Sequence, residues 1–248
     1  RSWLSTVLHN PGVLGAGAAA VVAAVAGRSL GVGVLTGAGS GLTGGELVGN
    51  RADARTLWHS WADGWAGADP VSPAAALLAV PARLVDGLPL LPDPASPAGL
   101  VVALLVILGM PLAAVSAYLA LRPVADTRWV RGLAAFAWAT TGVASASVAQ
   151  GRVGALVALV LLPPLACGLW LVATRRSTAT SAFATALAAV VLGPFAPVLV
   201  ALVVVVALVL AVVRGRVRRH ALVLALVPAA VLGPWLVRAA ESSWPALV

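Results

Sequence analysis

The chain has 248 residues, of which 61% are hydrophobic and only 10% charged, and its formal net charge is +8. Soluble domains carry about a quarter charged residues, so this composition excludes a water-facing globular surface and predicts a membrane protein. The single cysteine, Cys167, excludes a disulfide framework or a cysteine metal site.

Long apolar runs follow one another along the chain, and a spanning helix needs about 20 such residues. The run at 179–213 is too long for one span, and its GPFAP segment (193–197) predicts a turn between two helices. The sequence therefore predicts an all-α, polytopic transmembrane bundle of about seven spans, forming a single domain over 1–248. The other five predicted spans are 8–27, 98–121, 132–149, 153–173 and 220–238.

Arginines are concentrated in alternate gaps between these runs. The gaps at 122–131, 174–178 and 214–220 hold nine arginines against one acid, whereas the remaining gaps hold six arginines against seven acids. Arginine-rich loops stay in the cytoplasm, which predicts a cytoplasmic N-terminus, an extracytoplasmic C-terminus and an outer loop at 28–97. In the plasma membrane the basic excess lies next to anionic lipids, so we expect membrane lipids as partners and no nucleic acid.

The outer loop at 28–97 contains two segments that predict short interfacial helices. One is 73–86, where Ser72 can cap the helix and Pro73 fits its first turn. The other is 53–66, which is rich in tryptophan. Tryptophan prefers the headgroup layer, so we expect this second helix to lie flat on the outer membrane surface.

Two faces of the 53–66 helix differ in chemistry. One face is aromatic and the other is a polar ridge, so the helix is either a plain interfacial anchor or the wall of a groove for a lipid-linked substrate. The aromatic face consists of Trp58, Trp61 and Trp65, and the polar ridge consists of Arg55, His59 and Asp63.

Acidic residues in the outer loop are candidates for catalysis. Glu46, Asp53, Asp63 and Asp69 lie close together in sequence. A carboxylate there could act as a general base on an acceptor hydroxyl, or hold a divalent cation against a diphosphate. The alternative is a hydrated loop with ordinary charges. Asp63 lies one turn from His59, and the two form either an oriented imidazole or a simple surface pair.

Arg152 is the only charged residue between Arg131 and Arg175, and it lies in the predicted tight turn Gln150-Gly151-Arg152. A guanidinium at a membrane surface usually has an anionic partner, and its planar fork suits phosphate. That partner is either a loop carboxylate or a lipid phosphate.

The stretch GAGAAA (15–20) matches a dinucleotide-binding fingerprint by letters alone. The fingerprint needs a preceding strand and an acidic residue about 20 positions later, and both are missing. Small residues within a span instead predict close packing of helices.

Several segments follow one another in the order GVGVLTGAGSGLTGGEL, LWHSWADGW, GMPLAAVSAYLALRPV, ASVAQGRVGALVALVLLPPLA and AFATALAAVVLGPFAP. This order resembles the multi-pass membrane part of large actinobacterial family 2 glycosyltransferases, which join a cytoplasmic sugar-nucleotide domain to a many-spanning region like that of GT-C membrane glycosyltransferases. The resemblance covers most of the chain. It implies a fragment of a longer enzyme that assembles a cell-wall glycan on a polyprenyl phosphate carrier.

The resemblance also implies partners and a catalytic acid. The partners are a polyprenyl-linked sugar and a sugar-nucleotide-binding domain outside this segment. If the membrane part is catalytic in the GT-C manner, its acid lies in the first outer loop, as Glu46 or Asp53. The chain departs from the family at Trp65-Ala66, where the family often has Trp-His. It also lacks the sugar-nucleotide domain, so the activity of that domain cannot be assigned to this segment.

The resulting hypothesis is a transferase in which the sugar lipid enters from the bilayer and the tryptophan helix covers it. Arg152 contacts the phosphate, and an outer-loop carboxylate deprotonates the acceptor. The rival hypothesis is a non-catalytic membrane scaffold or lipid-glycan translocation module. The spans consist almost wholly of Ala, Val, Leu and Gly, which argues against ion-coupled transport but not against a scaffold.

Overall fold

A computed structural model describes residues 10–29, 54–66, 73–86 and 97–241. Within these ranges the chain forms ten α-helices and no strand, so the all-helical prediction is confirmed. Short 3-10 turns follow the first helix and precede the last one. The helices are α1 (Pro11–Ala26), α2 (Ala54–Ala66), α3 (Ala74–Asp86), α4 (Pro97–Ala120), α5 (Arg128–Ala139), α6 (Gly142–Ala149), α7 (Val153–Ala173), α8 (Ala179–Leu192), α9 (Pro197–Val213) and α10 (Arg218–Glu241).

Three of these helices are long and apolar enough to cross a membrane alone: α4, α7 and the Arg218–Val237 part of α10. Helices α5 and α6 qualify only together, as one span with a bend of 46°. Helices α1, α3, α8 and α9 are apolar but shorter. Large apolar side chains such as Val198 and Val212 are 78% and 86% exposed, a surface suited to lipid rather than water. The helices therefore indicate a membrane protein, while the seven-span topology stays a prediction.

The run predicted as a single span at 132–149 is two helices. The hydroxyl of Thr140 donates to the carbonyl of Phe136 at 2.8 Å, and the Thr141 hydroxyl accepts from the backbone N–H of Ala144 at 3.4 Å. Threonine side chains compete with the helix for backbone groups in this way, and a hydroxyl at the N-cap position starts a new helix. The two threonines thus end α5 and begin α6.

The break predicted at 193–197 is confirmed. Helix α8 ends at Leu192 and α9 begins at Pro197, whose fixed φ and missing N–H suit the first position of a helix. Helix α7 has the bounds that the sequence predicted for it.

The chain divides into two compact units. The first comprises the described residues of 1–49 and 102–167, and the second comprises those of 50–101 and 168–248. Each unit has its own buried apolar clusters.

Small residues bring α1 and α5 together in the first unit. Gly15, Ala19 and Ala23 are buried on α1. A Cβ on Gly132 of α5 would lie 2.7 Å from the Cβ of Pro11, closer than two carbon atoms can stand. The close packing predicted from the small residues of α1 is confirmed.

Two consecutive prolines in α7 leave two backbone carbonyls without their usual partners. Pro163 and the proline after it have no N–H, so the carbonyls of Leu159 and Val160 receive no helical hydrogen bond from four residues ahead. The indole Nε1 of Trp138 on α5 donates to the Leu159 carbonyl at 2.9 Å, and the hydroxyl of Ser116 on α4 donates to the Val160 carbonyl. Since no water is present in lipid to satisfy an unpaired carbonyl, these two bonds tie three helices of the first unit together.

In the second unit, one buried cluster joins the ends of four helices. Val172 near the end of α7 and Ala211 near the end of α9 meet Ala182 and Ala221, which lie in the first turns of α8 and α10. The start of α8 is fixed by a capping box, in which Thr178 and Ser181 each accept a hydrogen bond from the other's backbone N–H.

Candidate functional site

Helices α2 and α3 of the second unit pack together and leave a groove along their junction. Ala54, Ala82 and Ala98 are buried together near this junction, because their small side chains allow close approach of the helices. The groove has a volume of about 790 Å³, which is within the usual range for small-molecule sites. It is lined by Ala54, Arg55, Trp58 and His59 of α2 and by Ala79, Val80, Arg83 and Leu84 of α3.

Three basic side chains line the groove, and among the described residues that line it none is a carboxylate. Arg55 and His59 are one turn apart on α2, and Arg83 lies across from them on α3. A guanidinium keeps its charge and presents a planar set of donors that matches phosphate or carboxylate oxygens. The groove is therefore suited to an anion. Asp63, one turn beyond His59, is exposed and does not line it.

Apolar side chains form the rest of the lining. Trp58, Val80 and Leu84 are 46%, 56% and 69% exposed, so they present free hydrophobic surface beside the cationic groups. The ring of Trp58 lies 5.1 Å from that of Trp61, at an angle of 52° between their planes. The groove thus combines a cationic part with an apolar part, and it suits a ligand with a charged head and a hydrocarbon chain.

The aromatic face and the polar ridge predicted for α2 are not fully separate in the structure. The sequence placed the tryptophans on one face and the polar ridge on another, but Trp58 lines the same groove as Arg55 and His59. Residues spaced i, i+3 and i+4 are neighbours on a helix surface, so Trp58 lies at the border between the two faces. Of the predicted ridge, Arg55 and His59 line a groove, and Asp63 does not. A substrate there stays a prediction.

Arg152 belongs to the first unit, whereas the groove belongs to the second. It is exposed and directly precedes α7, where its N–H donates to the Ser147 carbonyl at 2.8 Å and its carbonyl accepts from Leu156 at 3.2 Å. The predicted tight turn is confirmed, and Gly151 adopts φ 66°, the left-handed conformation that glycine tolerates best. A phosphate contact at Arg152 stays a prediction.

The two carboxylates predicted to be catalytic, Glu46 and Asp53, lie outside the described residues. Trp65 is part of α2, but its side chain is outside the described part as well. Within the described ranges, no three His, Cys, Asp or Glu side chains meet as a metal site. The catalytic roles and a divalent cation held by outer-loop carboxylates therefore stay predictions.

Arg83 is the one basic residue of the described groove lining that the sequence did not predict as part of a site. The sequence predicted its helix, and the i, i+3, i+4 spacing of Val80, Arg83 and Leu84 could have marked a mixed cationic and apolar face on it. The partner face on α2 could not be assigned in the same way, because two short helices can pack together in many rotational settings.

The groove can hold an anion by hydrogen bonds from two guanidinium groups and pack a hydrocarbon chain against Trp58 and Leu84. His59 adds an imidazole that can take part in hydrogen bonds to the ligand. Comparisons with known protein families, with curated proteins and with solved structures find no match to this chain.

Proposed function

We propose that this chain is the membrane portion of a cell-envelope glycosyltransferase, and that the groove between α2 and α3 binds the phosphate of a polyprenyl-linked sugar. The observation that carries the proposal is the pairing of Arg55 and Arg83 across one groove with exposed apolar side chains beside them. The resemblance of the chain's segments to that class of enzyme supports the same reading. The exposed apolar helix surfaces indicate a membrane protein, which has access to a polyprenyl carrier in the bilayer.

Recognition of the lipid follows from the chemistry of the lining. A phosphate between two guanidinium groups accepts charge-assisted hydrogen bonds, each worth about 1.5–3 kcal/mol. The first isoprene units pack on Trp58, Val80 and Leu84, where burial of apolar surface gives roughly 25 cal/mol per Å². A neutral polyprenol keeps the second contribution and loses the first.

The rest of the mechanism extends the same proposal. The chain crosses the plasma membrane seven times, with its N-terminus in the cytoplasm and residues 28–97 outside. Glu46 or Asp53 acts as the base on the acceptor hydroxyl, and a sugar-nucleotide domain outside this segment supplies the carrier lipid with its sugar.

A binding assay tests the assignment of the groove. Full-length protein in neutral detergent is titrated with a long-chain polyprenyl phosphate and with the matching polyprenol, and tryptophan fluorescence is followed. We expect the phosphate to bind tighter, and Arg55→Gln or Arg83→Gln to weaken phosphate binding by roughly ten-fold or more while polyprenol binding changes little. The exposed Arg128→Gln is the matched control and should bind like wild type.

Two results would remove the groove assignment. One is equal binding of polyprenyl phosphate and polyprenol by the wild-type protein. The other is a loss of phosphate preference in Arg152→Gln with no loss in the Arg55 and Arg83 variants, which would move the phosphate to the turn before α7.

Separate experiments test catalysis and topology. Glu46→Ala and Asp53→Ala in the full-length protein should abolish glycan transfer but leave lipid binding intact. Full transfer by both variants would favour the scaffold or translocation alternative. An alkaline phosphatase fused after Trp61 should be active, because this enzyme works only outside the cytoplasm. Fluorescence from a fluorescent protein fused at the same position, which requires a cytoplasmic location, would contradict the topology.

A further inference from the structure

Two segments that lie far apart in sequence meet at one end of the second unit. The guanidinium Nη1 of Arg214 donates to the carbonyl of Ala173, the last residue of α7. The hydroxyl of Ser177 lies 2.8 Å from Nδ1 of His220 in the first turn of α10. The buried cluster described above underlies these contacts, so the meeting of the segments is part of the packed core. These two contacts bring five exposed arginines to this end of the second unit. The five are here named the arginine cluster: Arg175, Arg176, Arg214, Arg218 and Arg219.

The local sequence supplies no counter-charge for the arginine cluster. From Thr127 to Ala240 the chain contains no acidic residue. Glu241 ends α10, a helix of 24 residues, and therefore lies about 35 Å along that helix from Arg218. Arg218 and Arg219 also occupy the first turn of α10, where the positive end of the helix dipole opposes a cation. An external anion would relieve both sources of repulsion.

The arginine cluster borders directly on apolar surface. Val212 and Val213, which precede Arg214, are 86% and 72% exposed. The guanidinium carbon of Arg176 lies 5.7 Å from the centroid of the Trp170 ring, a cation–π contact of the kind found where a helix leaves the hydrocarbon layer. The part of α10 that is suited to span a membrane begins at Arg218. In a membrane-spanning helix, that position corresponds to the level where lipid headgroups meet acyl chains.

We propose that the arginine cluster is a built binding site for the phosphate headgroup of an anionic phospholipid. Arg176 and Arg214 are held by Trp170 and the Ala173 carbonyl, and they fix the two segments in place. Arg175, Arg218 and Arg219 face the headgroup, while the lipid's acyl chains run along Val212 and Val213. The site is independent of the glycosyltransferase proposal, because it lies apart from α2 and α3 in sequence and uses none of the groove residues.

The test is the binding of phosphatidylglycerol to the full chain. Native mass spectrometry at fixed ionic strength measures it, with phosphatidylcholine as the reference lipid. Arg218 and Arg219 each contribute a direct guanidinium–phosphate contact that changes affinity at least roughly five-fold, so Arg218→Gln with Arg219→Gln should weaken phosphatidylglycerol binding roughly thirty-fold or more. The control is Arg122→Gln with Arg128→Gln, which removes the same charge from the exposed junction of α4 and α5, outside the arginine cluster, and should leave binding near wild type.

A second variant separates binding from folding. Arg175 has φ 61°, a left-handed conformation that glycine adopts without strain. Arg175→Gly should therefore keep or raise thermal stability while it weakens phosphatidylglycerol binding roughly five-fold. If the cluster pair and the control pair lose phosphatidylglycerol affinity equally, the lipid is held by general attraction to positive charge, and the proposed site is wrong. The site is equally wrong if there is no preference for phosphatidylglycerol over phosphatidylcholine, or if an equal concentration of inorganic phosphate or of an acidic peptide displaces the lipid.

Discussion

Replacing Trp138 by phenylalanine removes one N–H and keeps an aromatic ring on α5. The lost donor serves the carbonyl of Leu159, a residue only 7% exposed, whose helical partner is absent because Pro163 stands four positions ahead. An interhelical hydrogen bond in a membrane bundle contributes about 0.6 kcal/mol on average and up to about 1.7. An orphaned buried carbonyl costs about 1–3 kcal/mol. We therefore expect Trp138→Phe to lower the free energy of unfolding by about 1–2 kcal/mol.

A second substitution shows whether the proline causes this dependence. Pro163→Ala supplies a backbone N–H to the Leu159 carbonyl, so Trp138→Phe should cost less than about 0.5 kcal/mol in that background. Unfolding in mixed detergent micelles, followed by far-UV circular dichroism as the SDS fraction rises, gives all four corners of a double-mutant cycle. The expected coupling is about 1 kcal/mol or more.

The neighbouring carbonyl offers an internal control. Ser116 serves Val160, whose missing donor is due to Pro164 rather than Pro163. Ser116→Ala should therefore be rescued by Pro164→Ala and not by Pro163→Ala. Two results would show that hydrogen bonding to the free carbonyls is not the cause. One is an equal loss of unfolding free energy from Trp138→Phe with and without Pro163. The other is equal rescue of Trp138→Phe and Ser116→Ala by either proline substitution.

Two further predictions use matched pairs from the same chain and the same unfolding assay. Gly132→Ala should lower the free energy of unfolding by about 1–3 kcal/mol, because the new Cβ would stand 2.7 Å from that of Pro11. Gly17→Ala, which has no described atom within 4 Å, should leave that free energy unchanged or raise it by up to about 1 kcal/mol. Equal effects of the two substitutions would contradict the close packing of α1 and α5. Thr178→Ala should lower the free energy of unfolding by about 1 kcal/mol, because it removes the capping box of α8. Thr127→Ala should lower it less, because Thr127 makes no side-chain cap hydrogen bond. The reverse order would contradict the capping assignment.

Local sequence signals were sufficient to predict the helical class and most helix positions. Apolar runs of sufficient length predicted α4, α7 and α10, and a proline with a preceding glycine predicted the break before α9. The spacing of the tryptophans predicted α2. These signals are local, because helix length, breakers and caps act within a few residues of the backbone that they control.

Which of these local features meet became evident only from the folded chain. It paired Arg83 with Arg55 across a groove and brought Arg214 to Ala173, more than 25 residues away in each case. It also satisfied the carbonyls that the prolines of α7 leave open, using side chains from two other helices. Such contacts depend on how helices rotate and slide against one another. That choice is made by side-chain packing between distant segments, which no periodicity within a single helix encodes.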